Sequence, residues 1–172
     1  EAVMRVVSSW PFWVQVFASI LFGDIVAYFY HRWTHSNSRF WRLHQVHHSS
    51  VHLDWLAGFR FHFLELMLRR IFQAVPLALL GLSGVALVAM VPVFFFFNLL
   101  IHSNVRWRFP TPLQYLLVSP EYHRWHHVKD VKGLGVNLAG IFPCWDLLFR
   151  TCRMPDGTDP GTLGVKEPMP AG

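Results

Sequence analysis

Residues 31–48 read HRWTHSNSRFWRLHQVHH, and this stretch decides the fold because it places five histidines at the end of an apolar run. The five form two clusters, His31 with His35, and His44 with His47 and His48. Residues three or four apart lie on one face of an α-helix, so each cluster is predicted to project its imidazoles from one helical face. A lone histidine on an apolar face is usually a hydrogen-bonded core residue, whereas grouped imidazoles indicate a shared metal.

A third cluster, HRWHH at residues 123–127, repeats the spacing of the second, and one more histidine closes a later apolar run. The candidate metal ligands are therefore His31, His35, His44, His47, His48, His102, His123, His126 and His127. Nine imidazoles exceed what one tetrahedral or octahedral ion accepts, which predicts two ions that share the cluster and keep open positions.

The identity of the ions is not fixed by ligand type, because imidazole suits zinc, copper, iron and nickel. A structural zinc site is closed by four ligands, and this set is too large for it. Two redox-active ions beside a lipid-filled interior fit O2 activation, since a reactive oxidant has to be kept from water and next to a C–H bond.

Apolar runs surround the histidines, and 53% of all residues are hydrophobic while 15% are charged. Residues 10–30 are long enough to cross a bilayer as one helix. Residues 71–101 are too long for one span and are broken near Gly81 and Gly84, which predicts a hairpin of two helices, 71–80 and 85–101. One span and one hairpin bring every histidine cluster to the same side of the membrane.

The net charge of +5 is distributed as in a membrane protein. Only Arg5 among the basic residues precedes the first apolar run, so the histidine side is predicted to face the cytoplasm, of a bacterial inner membrane or of the endoplasmic reticulum. No nucleic-acid-binding motif accompanies the charge. The predicted fold is an all-α, multi-pass integral membrane bundle with a cytoplasm-facing, histidine-rich di-metal site.

The domain organisation is predicted as one membrane catalytic domain over residues 1–150, followed by a loosely ordered Gly- and Pro-rich tail over residues 151–172. The first residue is Glu1, and no basic leader with a cleavage site follows it. The sequence is therefore expected to be a fragment that lacks upstream helices.

At the histidine clusters the chain resembles the fatty acid hydroxylase superfamily, which includes sterol desaturases and sterol C4-methyl oxidases. The shared pattern is H-x3-H, H-x2-H-H and a distal H-x2-H-H, and the resemblance covers residues 21–150. Further matches are Gly23-Asp24, Arg60-Phe61-His62 with Glu65, His102-Ser103-Asn104, and Trp145-Asp146 with Phe149. Asn98 stands where some members have another histidine, so His62 is a possible additional ligand, although a structural role near Glu65 is favoured for it.

The resemblance implies a helical membrane enzyme with two iron ions held mainly by histidine. Such enzymes use O2 and a cytochrome b5-like or ferredoxin-like electron donor to hydroxylate or desaturate a lipid, for example a sterol or a fatty acyl chain. Zinc is expected as a substitute ion in recombinant protein. Asp24, Glu65 and Asp146 are candidates for orienting ligand imidazoles through the second ring nitrogen. For Asp24, a hydrogen bond inside the bundle is an equal alternative.

Two other functions remain open from the sequence. A zinc-dependent membrane hydrolase needs a carboxylate beside the metal as general base; no histidine cluster contains one, although Glu121 lies two residues before His123. A metal transport or storage protein would hold its ligands near the bilayer midplane, whereas these clusters lie at helix ends and in polar stretches. The sequence selects neither the lipid nor hydroxylation over desaturation.

Overall fold

The protein consists of helices joined by irregular segments in a computed structural model that describes residues 1–129 and 135–166. Its α-helices are α1 Ala2–Ser8, α2 Phe12–Ser36, α3 Ser38–His48, α4 Phe63–Leu79, α5 Gly84–His102, α6 Leu113–Leu116, α7 Pro120–His126 and α8 Cys144–Leu148, with a 3-10 turn at Ala57–Phe59. Pairing of β type within the described ranges is limited to an isolated antiparallel bridge between Val128 and Leu163. The all-α prediction is confirmed.

Helix α2 continues past the predicted membrane span, residues 10–30, to Ser36, so it includes the first histidine cluster as the spacing of that cluster predicted. Its 25 residues extend about 37 Å at about 1.5 Å per residue, more than the roughly 30 Å of a hydrocarbon core. The helix stops at Asn37, whose extended backbone turns the chain and whose side-chain oxygen accepts hydrogen bonds from the N–H groups of Arg39 and Phe40. The extra turns carry the first histidine cluster beyond the apolar part of the helix.

The predicted hairpin is present, with one arm misjudged. Its second arm matches α5 to within one residue at each end. The first arm was predicted to begin at residue 71, but α4 begins at Phe63. The prediction was wrong because it followed apolarity, and the first turns of α4 carry Glu65, Arg69 and Arg70 on an otherwise apolar helix. Because α4 starts and α5 ends at the histidine end of α2, the hairpin returns to the side from which it left.

Helix α2 is the centre of the bundle and packs against α3, α4 and α5, while α5 also packs against α7. The approach of α2 to α5 depends on Gly23, where an added Cβ would lie 3.3 Å from both the Met90 sulfur and the Phe94 ring. A small residue at this crossing lets the two backbones come close. The packing brings the C-terminal end of α2 next to the C-terminal end of α5.

Two helices in the described ranges, α2 and α5, are long and apolar enough to cross a membrane. Much of the apolar surface of α5 faces outward, with Val85 69%, Val88 70% and Phe96 58% exposed. Contiguous apolar surface of this kind is uncommon on soluble monomers and is ordinary in lipid.

Residues 151–166 contact the helical part of the chain. The Thr151 hydroxyl lies 2.8 Å from the Tyr28 hydroxyl, and the Lys129 N–H donates to the Thr162 carbonyl at 2.9 Å. The division of the chain at residue 150 stays a prediction, and the last part of the predicted tail, residues 167–172, lies outside the described residues.

Candidate metal centre

The structure brings all nine candidate ligands together in two adjacent groups. The five-histidine group is His31, His35, His44, His48 and His126; the four-histidine group is His47, His102, His123 and His127. Within each group, one ring nitrogen of every member lies within 4.8 Å of the others. Each group therefore collects imidazoles from separate helices.

The second and third sequence clusters are divided between the two groups. His44 and His48 enter the five-histidine group and His47 the other, while His123 and His127 enter the four-histidine group. A helix turns about 100° per residue, so a residue four positions on is displaced by about 40° and one three positions on by about 60° in the opposite sense. Residues four apart thus stay together, and α3 and α7 each supply both groups.

The spacing of the ring nitrogens fits metal coordination. The Nε2 atoms are 3.0 Å apart for His31 and His44, 3.1 Å for His44 and His48, and 3.1 to 3.2 Å for the pairs that link the four-histidine group. Metal–nitrogen bonds of about 2.1 Å put adjacent ligand nitrogens about 3.0 Å apart in an octahedron and about 3.4 Å apart in a tetrahedron. The observed spacing is closer to the octahedral value.

The hydrogen bonds made by the Nδ1 atoms of several imidazoles favour a cation between their Nε2 atoms. The Nδ1 of His31 donates to the Leu138 carbonyl at 2.8 Å, and the Nδ1 of His44 donates to the Glu65 carboxylate at 2.5 Å. A neutral imidazole with its proton on Nδ1 has only a lone pair on Nε2. Two such lone pairs 3.0 Å apart repel unless a positive ion lies between them.

The same orientation recurs elsewhere in the centre. The Nδ1 of His102 donates to the Asn98 carbonyl and the Nδ1 of His126 to the Val136 carbonyl, both at 2.8 Å. The Nε2 atoms of His35 and His126 are buried without any hydrogen-bond partner among the described residues. Hydrogen bonds to the second ring nitrogen are the usual means of fixing a metal-binding histidine. The residues present fit a pair of metal ions.

Burial keeps these imidazoles neutral and ready to bind a metal. Burial, opposed in part by the hydrogen bond to Val136, lowers the pKa of His126 to about 3. Burial and then neighbouring imidazoles also lower the pKa of His47, His48, His123 and His127 well below 6.5. Metal ions bind the neutral imidazole ring, so metal binding near neutral pH should release few protons from these histidines.

The three carboxylates proposed from the sequence act at different distances from the imidazoles. Glu65 is 1% exposed and hydrogen-bonds directly to the candidate metal ligand His44. Asp146, fully buried, accepts from the N–H groups of Leu138 and Ala139 at 2.8 and 2.9 Å, from the Tyr122 hydroxyl and from Thr151. Asp146 thereby positions the backbone whose carbonyl orients His31.

Asp24 holds the next part of the same loop. Its carboxylate accepts from the N–H groups of Ile141 and Phe142 at 3.1 and 2.9 Å and from the Trp145 indole at 3.1 Å. Asp24 is fully buried in α2, so it ties this helix to the loop after residue 137. The hydrogen-bonding alternative considered for Asp24 describes these contacts.

The remaining sequence candidates lie outside the two groups. His62 is exposed and caps α4, where its Nδ1 accepts from the Leu64 N–H at 3.2 Å. The Asn98 side chain donates to the Gly58 carbonyl at 2.8 Å. Sequence reasoning missed the carbonyls of Val136 and Leu138, because backbone atoms leave no signature in residue types.

A largely enclosed cavity of about 50 Å³ touches both histidine groups. Its wall includes His31 and His44 from one group and three members of the other, together with the rings of Phe94 and Phe97. One water needs about 10–15 Å³ of such space, so the cavity holds a few small molecules or the end of a larger one.

Residues 16–151 match the protein family described as fatty acid hydroxylase. The chain belongs to the fatty acid hydroxylase family. The match covers the same part of the sequence as the three histidine clusters, and the resemblance expected from them is confirmed.

Several relatives of this chain have names that describe enzymes acting on lipids. The ornithine lipid hydroxylase OlsE of Rhizobium tropici is 32% identical over 158 residues, 90% of this chain and 47% of that protein. The alkylglycerol monooxygenases of Danio rerio and Homo sapiens are each 33% identical over 148 residues, 84% of this chain and 31% of theirs. The chain thus spans about half of the first relative and under a third of the others, and no solved structure matches it.

Stability of the metal-free protein should depend on pH through the buried imidazoles. Their pKa is 6.5 in an unfolded chain and lower in the folded one, so between those values the unfolded state binds more protons and acid favours unfolding. We expect the melting temperature after chelation to be constant above about pH 6.5 and to fall below it. Each such imidazole contributes up to about 1.4 kcal/mol per pH unit. Thermal melts from pH 8 to pH 4 measure this, and a flat profile would contradict it.

Proposed function

We propose that this protein is an O2-dependent non-haem di-iron oxidoreductase that hydroxylates or desaturates a lipid in the membrane. The observation that carries the proposal is the pair of buried histidine groups whose Nε2 atoms approach to 3.0–3.2 Å. Membership of the fatty acid hydroxylase family and the lipid-modifying names of its relatives support it.

Iron is favoured over zinc by the geometry of the groups. Five histidines are more than a tetrahedral zinc binds, and a six-coordinate ion in either group would leave positions for O2. Tetrahedral zinc would use four ligands set about 3.4 Å apart. Bound iron would supply the activation of O2 and the removal of hydrogen from a substrate carbon.

The overall reaction balances with two electrons from a donor. Hydroxylation joins R–H, O2, two electrons and two protons to give R–OH and water; desaturation uses the same reductant and oxidant to give an alkene and two waters. The electrons would come from a cytochrome b5-like or ferredoxin-like protein. The chain itself holds the ions through nine histidines, fixes His44 through Glu65, and encloses the reacting atoms in a cavity walled by Phe94 and Phe97.

The membrane location is argued from α2 and the α4–α5 hairpin. Helices α2 and α5 each end at the histidine groups, so the centre would lie at one face of the bilayer. Basic residues cluster in the segments that follow, including Arg39, Arg42, Arg106 and Arg108, which by the positive-inside rule orients the centre to the cytoplasm. This orientation corresponds to a multi-pass protein of the bacterial inner membrane or of the endoplasmic reticulum.

The alternative function, a zinc-dependent hydrolase, is disfavoured because neither candidate carboxylate is placed to act as its general base. Glu121, the carboxylate closest in sequence to the third cluster, belongs to neither histidine group and lies 4.0 Å from the Arg124 guanidinium. Glu65 is engaged by His44. Transport or storage is disfavoured because the groups lie at helix ends.

The proposal is tested by purifying the protein in detergent from iron-supplemented cells and measuring iron and zinc per chain, with Mössbauer spectra on an iron-57 sample. About two coupled irons per chain are expected. Cell lipids from cultures grown under ¹⁸O2 should then contain a species with one added ¹⁸O, or one lacking two hydrogens, that depends on the protein. A single tightly held zinc, with no such lipid, would reject the proposal.

A further inference from the structure

Arg69 lines the cavity that touches both histidine groups. It lies on α4 one turn after Glu65 and is partly buried. Its Cζ is 5.5 Å from the centroid of the Phe61 ring, and that ring stacks on His47 with centroids 4.4 Å apart and planes 5° from parallel. The guanidinium is therefore at most 9.9 Å, the sum of 5.5 and 4.4 Å, from the His47 ring centroid.

The guanidinium of Arg69 contacts no carboxylate in the described parts of the chain, although Glu65 and Asp24 line the same cavity and attract its charge. Its guanidinium forms neither an ion pair nor a side-chain hydrogen bond with residues 1–129 or 135–166. The nearest acid along the helix, Glu65, directs one oxygen to His44. A guanidinium whose N–H donors have no acceptor in a cavity is unfavourable, and its planar fork of donors matches the two oxygens of a carboxylate or phosphate.

Other arginines near the centre differ in this respect. Arg32 donates to the Tyr28 hydroxyl and the Phe149 carbonyl, and Arg124 lies against Glu121 and Asn104. Neither lines the cavity. The wall also contains the carboxylates of Asp24 and Glu65, which already accept hydrogen bonds from the loop after residue 137 and from His44. Among the described residues, Arg69 is the one Lys or Arg in this wall, so it is the cationic side chain that an entering anion meets.

We propose that Arg69 binds an oxyanion of the lipid substrate, a carboxylate or a phosphate, and so fixes which carbon reaches the histidine groups. The cavity of about 50 Å³ accommodates few atoms between the guanidinium and the imidazoles. The oxidised carbon then lies only a few bonds from the anionic group, near the headgroup end of the molecule. The regiochemistry rests on the proposed function, whereas the binding of the oxyanion does not.

Binding of three amphiphiles with the same twelve-carbon chain tests the inference without turnover. Dodecanoate, dodecyl phosphate and dodecanol are titrated by calorimetry into the full-length, metal-loaded protein in one neutral detergent. We expect at least one oxyanion to bind about tenfold or more tighter than dodecanol, as for a charge-assisted hydrogen bond in a protected site. The tighter of the two oxyanions identifies the headgroup chemistry.

Substitutions assign the preference to one side chain. Arg69→Gln should abolish it, whereas Arg70→Gln, a matched change at the exposed neighbouring arginine, should keep it. Metal content and melting temperature of each variant report whether the centre is intact. If Arg69→Gln does not fold, Arg69→Met takes its place, because its apolar side chain still packs against Phe61 without the charge.

An unchanged oxyanion preference in the folded Arg69 variant would overturn the inference, as would an equal loss in Arg70→Gln, which would indicate general surface attraction. The absence of any preference in the unchanged protein has the same consequence. Failure of the proposed function is separate: a protein that prefers oxyanions yet oxidises no lipid rejects the oxygenase alone, and an active oxygenase without the preference rejects only the role of Arg69.

Discussion

His123→Ala is expected to leave about one metal ion per chain where the unchanged protein holds about two, and to lower lipid oxidation by more than about 100-fold. His123 is 3% exposed, and its Nε2 lies 3.1 Å from the Nε2 atoms of both His102 and His127. Removal of a central ligand leaves three imidazoles and a hole in the four-histidine group. The five-histidine group contains no atom of His123, so the other ion should remain.

The matched control is His62→Ala, which removes an exposed histidine near the centre that belongs to neither group. It should retain both ions and nearly full activity. Metal is counted per chain by mass spectrometry, and Mössbauer spectra of iron-57 samples distinguish a coupled pair from a single ion. Two ions in His123→Ala, or an equal loss of metal in both variants, would show that the histidine groups are not the binding sites.

Asp146→Ala is expected to lower the free energy of unfolding by about 3–5 kcal/mol. The carboxylate is fully buried and accepts from two backbone N–H groups, those of Leu138 and Ala139, and from the hydroxyls of Tyr122 and Thr151. Alanine would leave the two backbone N–H groups buried and unpaired, at about 1–3 kcal/mol for each unsatisfied group before relaxation, and would remove one partner from each hydroxyl. The Leu138 carbonyl would also lose its fixed position beside His31, so metal content should fall as well.

The control for this change is Asp156→Ala, at an exposed aspartate that bonds only to nearby Thr158. Surface changes of this kind usually alter stability by about 0.5 kcal/mol or less. Chemical unfolding in detergent and the melting temperature measure both variants. An Asp146→Ala protein as stable as Asp156→Ala would mean that water replaces the carboxylate in holding the loop.

The set of histidines that gather in the centre could be predicted from the sequence. Spacings of three and four residues identify imidazoles on one side of a helix, and nine of them require more than one ion. All nine lie in the two groups, and His62, for which a structural role was favoured, caps α4. The start of α4 was misjudged because polar residues within a helix interrupt hydropathy without interrupting the backbone hydrogen bonds.

The contacts that orient the centre could not be predicted, since they join residues far apart in the chain. His31 meets Leu138 across 107 positions, and Asp24 meets Ile141 across 117. Nothing in the local pattern around either partner specifies the other. Asp24 and Asp146, which were candidates for orienting imidazoles, accept hydrogen bonds from backbone N–H groups, and for Asp24 a hydrogen bond inside the bundle was the equal alternative.

The sequence by itself determined that the chain is helical, which imidazoles gather, and on which side of the apolar runs they do so. These properties follow from periodicity and hydropathy, which act within one helix at a time. Only the tertiary structure decided that α3 and α7 each serve both groups, that the Leu138 carbonyl fixes His31, and that Arg69 lines the shared cavity. The physical reason is that helix packing sets which faces meet, and packing is a property of several helices together.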